Sequence, residues 1–102
     1  LKHLPNAIST PELNIKMNEG EPHALVAKLQ KSGQFPTARE LITIDGVRAE
    51  YADGFGLVRA SNTTPVIVLR FEADNKKALA RIQKEFKKAL QAAWPGIAAD
   101  FI

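Results

Sequence analysis

A chain of 102 residues bounds the answer to one domain with a modest core. A hydrophobic fraction of 45% with 25% charged residues argues against extensive disorder, and a net charge of +3 favours anionic partners without separating nucleic acid from a phosphorylated metabolite. The absence of cysteine excludes disulfides, thiolate metal sites and cysteine nucleophiles together, and the longest apolar run, Val66 to Leu69, is far too short to span a bilayer.

The chain opens on Leu1 with no charged-then-apolar leader, so it is expected to be a fragment of a longer cytoplasmic protein. Residues 1–12, with Pro5, Pro11 and the polar stretch Asn6 to Thr10, read as a connector into the domain. Leu13, Ile15 and Met17 alternate with Asn14, Lys16 and Asn18, a period of two that predicts a strand. Pro22 suits the first turn of a helix carrying Leu25, Val26 and Leu29, and Gly33 suits its end. Short strands then follow. Leu41 to Ile44 is one, Asp45-Gly46 a tight hairpin turn, and Val47, Ala49 and Tyr51, alternating with Arg48 and Glu50, the next. Asp53-Gly54 reads as a second hairpin turn before a strand over Leu57 to Ser61. Ile67, Leu69, Phe71 and Ala73 form the clearest alternation in the chain. Asp74 or Asn75 can cap a final helix with Leu79, Ile82, Phe86, Leu90 and Ala93 on one face, ended by Pro95-Gly96. The order is β-α-β-β-β-β-α, an α+β fold with one antiparallel sheet and two helices to cover it.

The segment Arg59-Ala60-Ser61-Asn62-Thr63-Thr64 carries the densest set of hydrogen-bond donors. Arg59 supplies a planar fork with permanent charge, Ser61, Thr63 and Thr64 supply hydroxyls, and Asn62 an amide. A short turn can also aim several backbone N–H groups at one anion. Turn chemistry alone accounts for Asn62 to Pro65, but not for Arg59, which shares one side of its strand with Leu57 and Ser61.

Thr43-Ile44-Asp45-Gly46-Val47-Arg48, followed by Gly56-Leu57-Val58-Arg59-Ala60-Ser61-Asn62-Thr63-Thr64-Pro65, resembles the C-terminal domain of the α-D-phosphohexomutases. The likeness reaches upstream to Ser9-Thr10-Pro11-Glu12-Leu13 and downstream through the last helix. It is nearest to the bacterial members that act on mannose or glucose phosphates. The resemblance implies a sheet-and-helix fold similar to one repeat of the TATA-box-binding protein, with residues 13–102 as a phosphate-binding domain. It carries a substrate-phosphate-binding role onto Arg59, Ser61, Asn62 and Thr63. It also implies an enzyme that moves a phosphoryl group between the 1 and 6 positions of a hexose phosphate through a bisphosphorylated intermediate. In that scheme the donor phosphoserine, the Mg2+-holding aspartate loop and the sugar-reading loop belong to preceding domains. This domain alone is then expected to be inactive, with no catalytic residue and no metal of its own.

Other features receive plainer readings. Lys76, Lys77, Arg81, Lys84, Lys87 and Lys88, with Glu85, read as the solvated face of the last helix. A nucleic-acid surface is disfavoured because the sheet lacks a run of stacking aromatics. Gly54-Phe55-Gly56 reads as part of a hairpin, not a nucleotide loop. Asp45, Glu50 and Asp53 read as surface charge, Arg70 as an exposed strand residue, Trp94 as an anchor for the helix end, and His3 and His23 as surface histidines.

Overall fold

The computed structural model describes residues 8–10, 12–44 and 46–97. Within them the chain forms β1 (Ile8–Ser9), β2 (Leu13–Lys16), α1 (Glu21–Ser32), β3 (Glu40–Ile42), β4 (Val47–Tyr51), β5 (Gly54–Ala60), β6 (Val66–Ala73) and α2 (Lys76–Ala93). Every ladder is antiparallel, and the strands lie in the order β1-β6-β5-β4-β3, with β2 also on β6. The α+β reading stands, with β1 added at the front. β1 and β2 share one edge of β6, Ile8 opposite Ala73 and Leu13 opposite Leu69. Between them Thr10 keeps contact, its N–H donating to the Phe71 carbonyl at 3.0 Å. A two-residue strand inside a stretch read as a connector is too short for alternation to show.

The turns depart from expectation by a residue or two. Ile42 pairs with Arg48, so residues 43–46 connect β3 to β4 and no two-residue turn exists there. Asp45 lies outside the described residues. The strand read over Leu41 to Ile44 is Glu40–Ile42, and Ile44 is 91% exposed. Tyr51 pairs with Gly54, which makes Ala52 and Asp53 the second turn and puts Gly54 in β5. β5 therefore starts three residues before Leu57 and ends at Ala60. Gly54 is needed for space: an added Cβ would come within 2.8 Å of the Ala73 Cα. Gly54-Phe55-Gly56 is thus a stretch of strand.

Both helices cover one face of the sheet. Leu25 and Leu29 of α1 and Ile82, Phe86 and Leu90 of α2 are buried against Val47, Ala49, Val58, Ile67, Leu69 and Phe71. The Phe86 ring meets Phe35 at 4.6 Å and the edge of Phe71 at 5.2 Å. It lies over Gly56, where a Cβ would come within 2.7 Å of the ring. Asn75 caps α2, its side chain accepting from the Ala78 N–H at 2.8 Å. Trp94 ends the helix half-buried against the core, with the Lys28 ammonium 4.9 Å from its ring centre. No helix among the described residues is long and apolar enough to cross a membrane.

Glu85 corrects the reading of α2 as carrying a wholly solvated polar face. It is buried and accepts from the Tyr51 hydroxyl at 3.0 Å, from the Thr37 hydroxyl and, at 3.4 Å, from the Thr37 N–H. Arg81 is also engaged, donating two bonds to Asp53 at 2.9 and 2.6 Å and one to Thr37. That fork holds the Asp53 carboxyl below the usual carboxylate range, with burial opposing it. The network ties the β4–β5 turn, the loop before β3 and α2 together. Helical spacing puts Glu85 one position from Phe86, and nothing in the sequence names its partners.

Burial first, and the Glu85 carboxylate second, push the Tyr51 hydroxyl well above the usual range of a phenol. A folded value above the unfolded value of about 10 means a contribution to stability that is whole below that pH and is lost as the pH rises beyond it. Tyr51 is the only tyrosine in the chain, so its phenolate absorbance reports on this one site. In an alkaline titration the phenolate is expected to appear together with the loss of circular dichroism. A phenolate forming near pH 10 in a still-folded chain would contradict the buried Tyr51–Glu85 contact.

Candidate functional site

The loop after β5 is positioned from both sides. Along β5, Gly56 and Val58 turn towards the helices, so Leu57 and Arg59 occupy the opposite, helix-free face. The ladder with β6 continues past the strand, the Ser61 N–H donating to the Val66 carbonyl at 3.0 Å. The Val66 N–H donates to the Thr64 carbonyl at 2.8 Å, closing the loop on itself. From the neighbouring strand, the Met17 N–H reaches the Pro65 carbonyl at 2.8 Å. A loop pinned at Ser61, Thr64 and Pro65 loses little further entropy when it orders around a ligand.

Inside the loop, Ser61 is the hub. Its Oγ accepts from the Thr63 and Thr64 N–H groups at 3.2 and 3.4 Å, and lies 3.2 and 3.4 Å from their hydroxyls. This gathers two backbone donors and three hydroxyls into one small volume, with Asn62, Thr63 and Thr64 exposed. All of the hydrogen-bond partners of Ser61 Oγ are amides or hydroxyls, so no base activates it as a nucleophile among the described residues. The chemistry available is donation to an anion.

Ser61, Asn62 and Thr63 line one cleft of about 230 Å³, together with Thr64, Pro65 and the residues around the first turn of α1, His23 among them. Arg59 stands outside that cleft on the open sheet face, opposite Val68. It is exposed, and its side chain makes no hydrogen bond or ion pair with a described residue. His23 is exposed, as read, and His3 lies outside the described residues.

Gly46 and Gln30 shape the connection that runs beside Arg59. Gly46 has φ 102°, a conformation that side chains resist, and an added Cβ would come within 2.9 Å of the Arg59 Cβ. Gln30 of α1 donates to the Thr43 carbonyl at 2.9 Å and to the Gly46 carbonyl at 3.1 Å, tying this connection to the helix. Gly46 was visible as a turn glycine, whereas Gln30 looks like any residue on the polar side of a helix. Of the three acids read as surface charge, the two that are described stay partly exposed and are partnered: Asp53 with Arg81, and Glu50 with Arg48, whose guanidinium also lies 4.3 Å from the Phe55 ring centre. Arg70 is exposed, as expected. No three His, Asp or Glu side chains converge on a metal-sized site among the described residues.

Fold and loop together define an α+β domain that presents a pinned, donor-rich loop at one end of an antiparallel sheet. Residues 12–89 match the family model described as phosphoglucomutase/phosphomannomutase, C-terminal domain, and this chain belongs to that family. It is 52% identical over 100 residues to a phosphoglucomutase of Neisseria meningitidis serogroup B, covering 93% of this chain and 22% of the relative. It is 50% identical over 97 residues to a phosphomannomutase/phosphoglucomutase of Pseudomonas syringae pv. tomato, covering 95% and 21%. A crystal structure of a phosphoglucomutase/phosphomannomutase family protein from Burkholderia thailandensis superposes with a TM-score of 0.81 at 56% identity, over 92% of this chain and 19% of that one. The chain therefore spans about a fifth of the length of the curated relatives it matches.

Proposed function

We propose that this chain is the substrate-phosphate-binding domain of a phosphomannomutase/phosphoglucomutase. In this reading the longer protein interconverts hexose 1-phosphate and hexose 6-phosphate of mannose or glucose, in the cytoplasm, through a bisphosphorylated intermediate. The observation that carries it is the hydroxyl and amide cluster around Ser61, beside an arginine free of partners among the described residues.

Arg59, Ser61, Asn62 and Thr63 grip the phosphate that is not being transferred. Phosphoryl transfer depends on positioning and charge stabilisation, and a remote phosphate is a handle whose binding energy orients the reacting end. Rotatable hydroxyls can re-form their bonds around the phosphate of a sugar bound in either direction. The donor serine, the Mg2+ ion and the sugar-reading groups lie in preceding domains, and the isolated domain has no mutase activity. Nucleic acid and membrane are not partners in this reading.

Titrating the chain with glucose 1-phosphate is expected to move amide resonances of residues 59–64 and few others. Shifts confined to α2, with salt-dependent DNA binding, would replace this reading with a nucleic-acid one.

A further inference from the structure

The open face of the sheet sorts its charges by row. The pairing registers place Glu40, Glu50, Phe55 and Glu72 side by side across β3, β4, β5 and β6. The next row on the same face is Ile42, Arg48, Leu57 and Arg70. One step nearer the loop, Arg59 and Val68 follow, with Asn14 of β2 beside Val68. The last row holds Lys16 opposite Val66, with Ser61 bonded to Val66 from the other side. Among the paired strand residues the acids thus collect at one end and Lys16 and Arg59 at the loop end. Three two-residue steps separate the acidic row from Lys16, about 20 Å at the rise of an antiparallel strand. That is about twice the screening length at ordinary ionic strength, so this acidic row does little to neutralise the loop end; the nearer acids are Glu19, which lines the loop cleft, and Glu21, which lines the cleft beside Lys16.

Lys16 is not assigned to the site by alternation alone. Leu13, Ile15 and Met17 pack on the core, which turns Asn14 and Lys16 to the open face. Lys16 is exposed, and its ammonium has no partner among the described residues. Two strand spacings separate it from Ser61 across Val66, about 10 Å between Cα atoms. The Met17–Pro65 bond holds this end of β2 against the loop, so that separation is maintained. Its four-carbon stem is long enough to bring the ammonium over Val66 to the loop, and Arg59 stands on the other side of β6.

We infer that Lys16 is a second cation of the phosphate site, meeting the dianion of a phosphate monoester from the β2 side while Arg59 meets it from β5. The inference rests on the phosphate-binding reading above. It assigns the two cations different work: the planar fork of Arg59 engages two oxygens of the tetrahedral phosphate at once, and Lys16 adds charge without direction. Lys16 also borders a cleft at the sheet edge shared with Glu21, Trp94 and Pro95.

The experiment titrates inorganic phosphate into the 102-residue chain and follows the amide resonances of residues 59–64. It compares the unaltered chain with Lys16→Gln, Lys16→Arg and Arg59→Gln, with circular dichroism checking that each is folded. Lys16→Gln is expected to raise Kd roughly 1.5-fold to fivefold, the range for an exposed charge pair. It should also flatten the dependence of Kd on salt, and Lys16→Arg should restore both. A purely structural lysine would not change the salt dependence. If Arg59→Gln weakens binding and Lys16→Gln leaves Kd and its salt dependence unchanged, the role of Lys16 is overturned and the loop reading survives. If phosphate moves none of these resonances in the unaltered chain, the phosphate reading fails and the Lys16 inference fails with it.

Discussion

Replacing Arg59 by alanine in the full-length protein is expected to lower kcat/KM for hexose phosphate by one or more orders of magnitude. The side chain is exposed and engages no described residue, so its removal costs the fold little. The loss would fall on the ligand. A charge-assisted bond to a phosphate contributes about 1.5–3 kcal/mol, and a bidentate guanidinium makes two. Each 1.4 kcal/mol corresponds to about tenfold. On the proposed reading the phosphate is a handle that orients a distant reacting centre, so kcat should fall as well as affinity. Arg59→Lys should recover only part of the activity, since an ammonium keeps the charge but not the fork. Steady-state kinetics on the three proteins decides it, and an unchanged kcat/KM for Arg59→Ala would sink the assignment.

The second large effect concerns stability. Phe86→Ala is expected to cost about 3–5 kcal/mol, as truncation of a fully buried aromatic does. That is a large part of the roughly 5–15 kcal/mol by which domains are stable, so the variant should melt far lower or fail to fold. The ring fills the space above Gly56 and packs on Phe35 and Phe71, and no smaller side chain covers all three. Gly56→Ala tests the same contact from the sheet side, by putting a methyl group where the ring now lies. Phe86→Leu should relieve part of that clash. In denaturant melts the double variant Gly56→Ala/Phe86→Leu is therefore expected to lose less than the sum of the two single losses. Simple additivity would show that the ring and the glycine are not in contact.

Stability and site are linked through β5. Val58 is buried in the core, and its neighbour Arg59 faces away from it. A shift of β5 towards the gap left by Phe86 would carry Arg59 and Ser61 with it. The Gly46 connection, clamped by Gln30, limits that movement from the other side.

Local chemistry made most of the elements readable from the residues alone. Alternation along Val66 to Ala73 marked a strand buried on one face, and β6 has those bounds. The spacing of Ile82, Phe86 and Leu90 marked the buried side of α2, and of the two cap candidates, Asp74 and Asn75, the second serves. The donor content of Arg59 to Thr64 was likewise plain, because side-chain chemistry is a property of the residue. What the chain alone could not give were the pairings between distant residues. The second hairpin turn moved, because Gly54 is needed inside the strand, where it makes room for Ala73 as Gly56 does for Phe86. Glu85 looked like one more charge on a polar helix until Tyr51 and Thr37 were brought to it across the fold. The row that sets Lys16 beside Val66 and Ser61 exists only once β2 pairs with β6, some fifty residues away in the sequence. Composition and periodicity are local and can be read in place; burial, register and the meeting of charges depend on long-range packing, and only the folded sheet decides them.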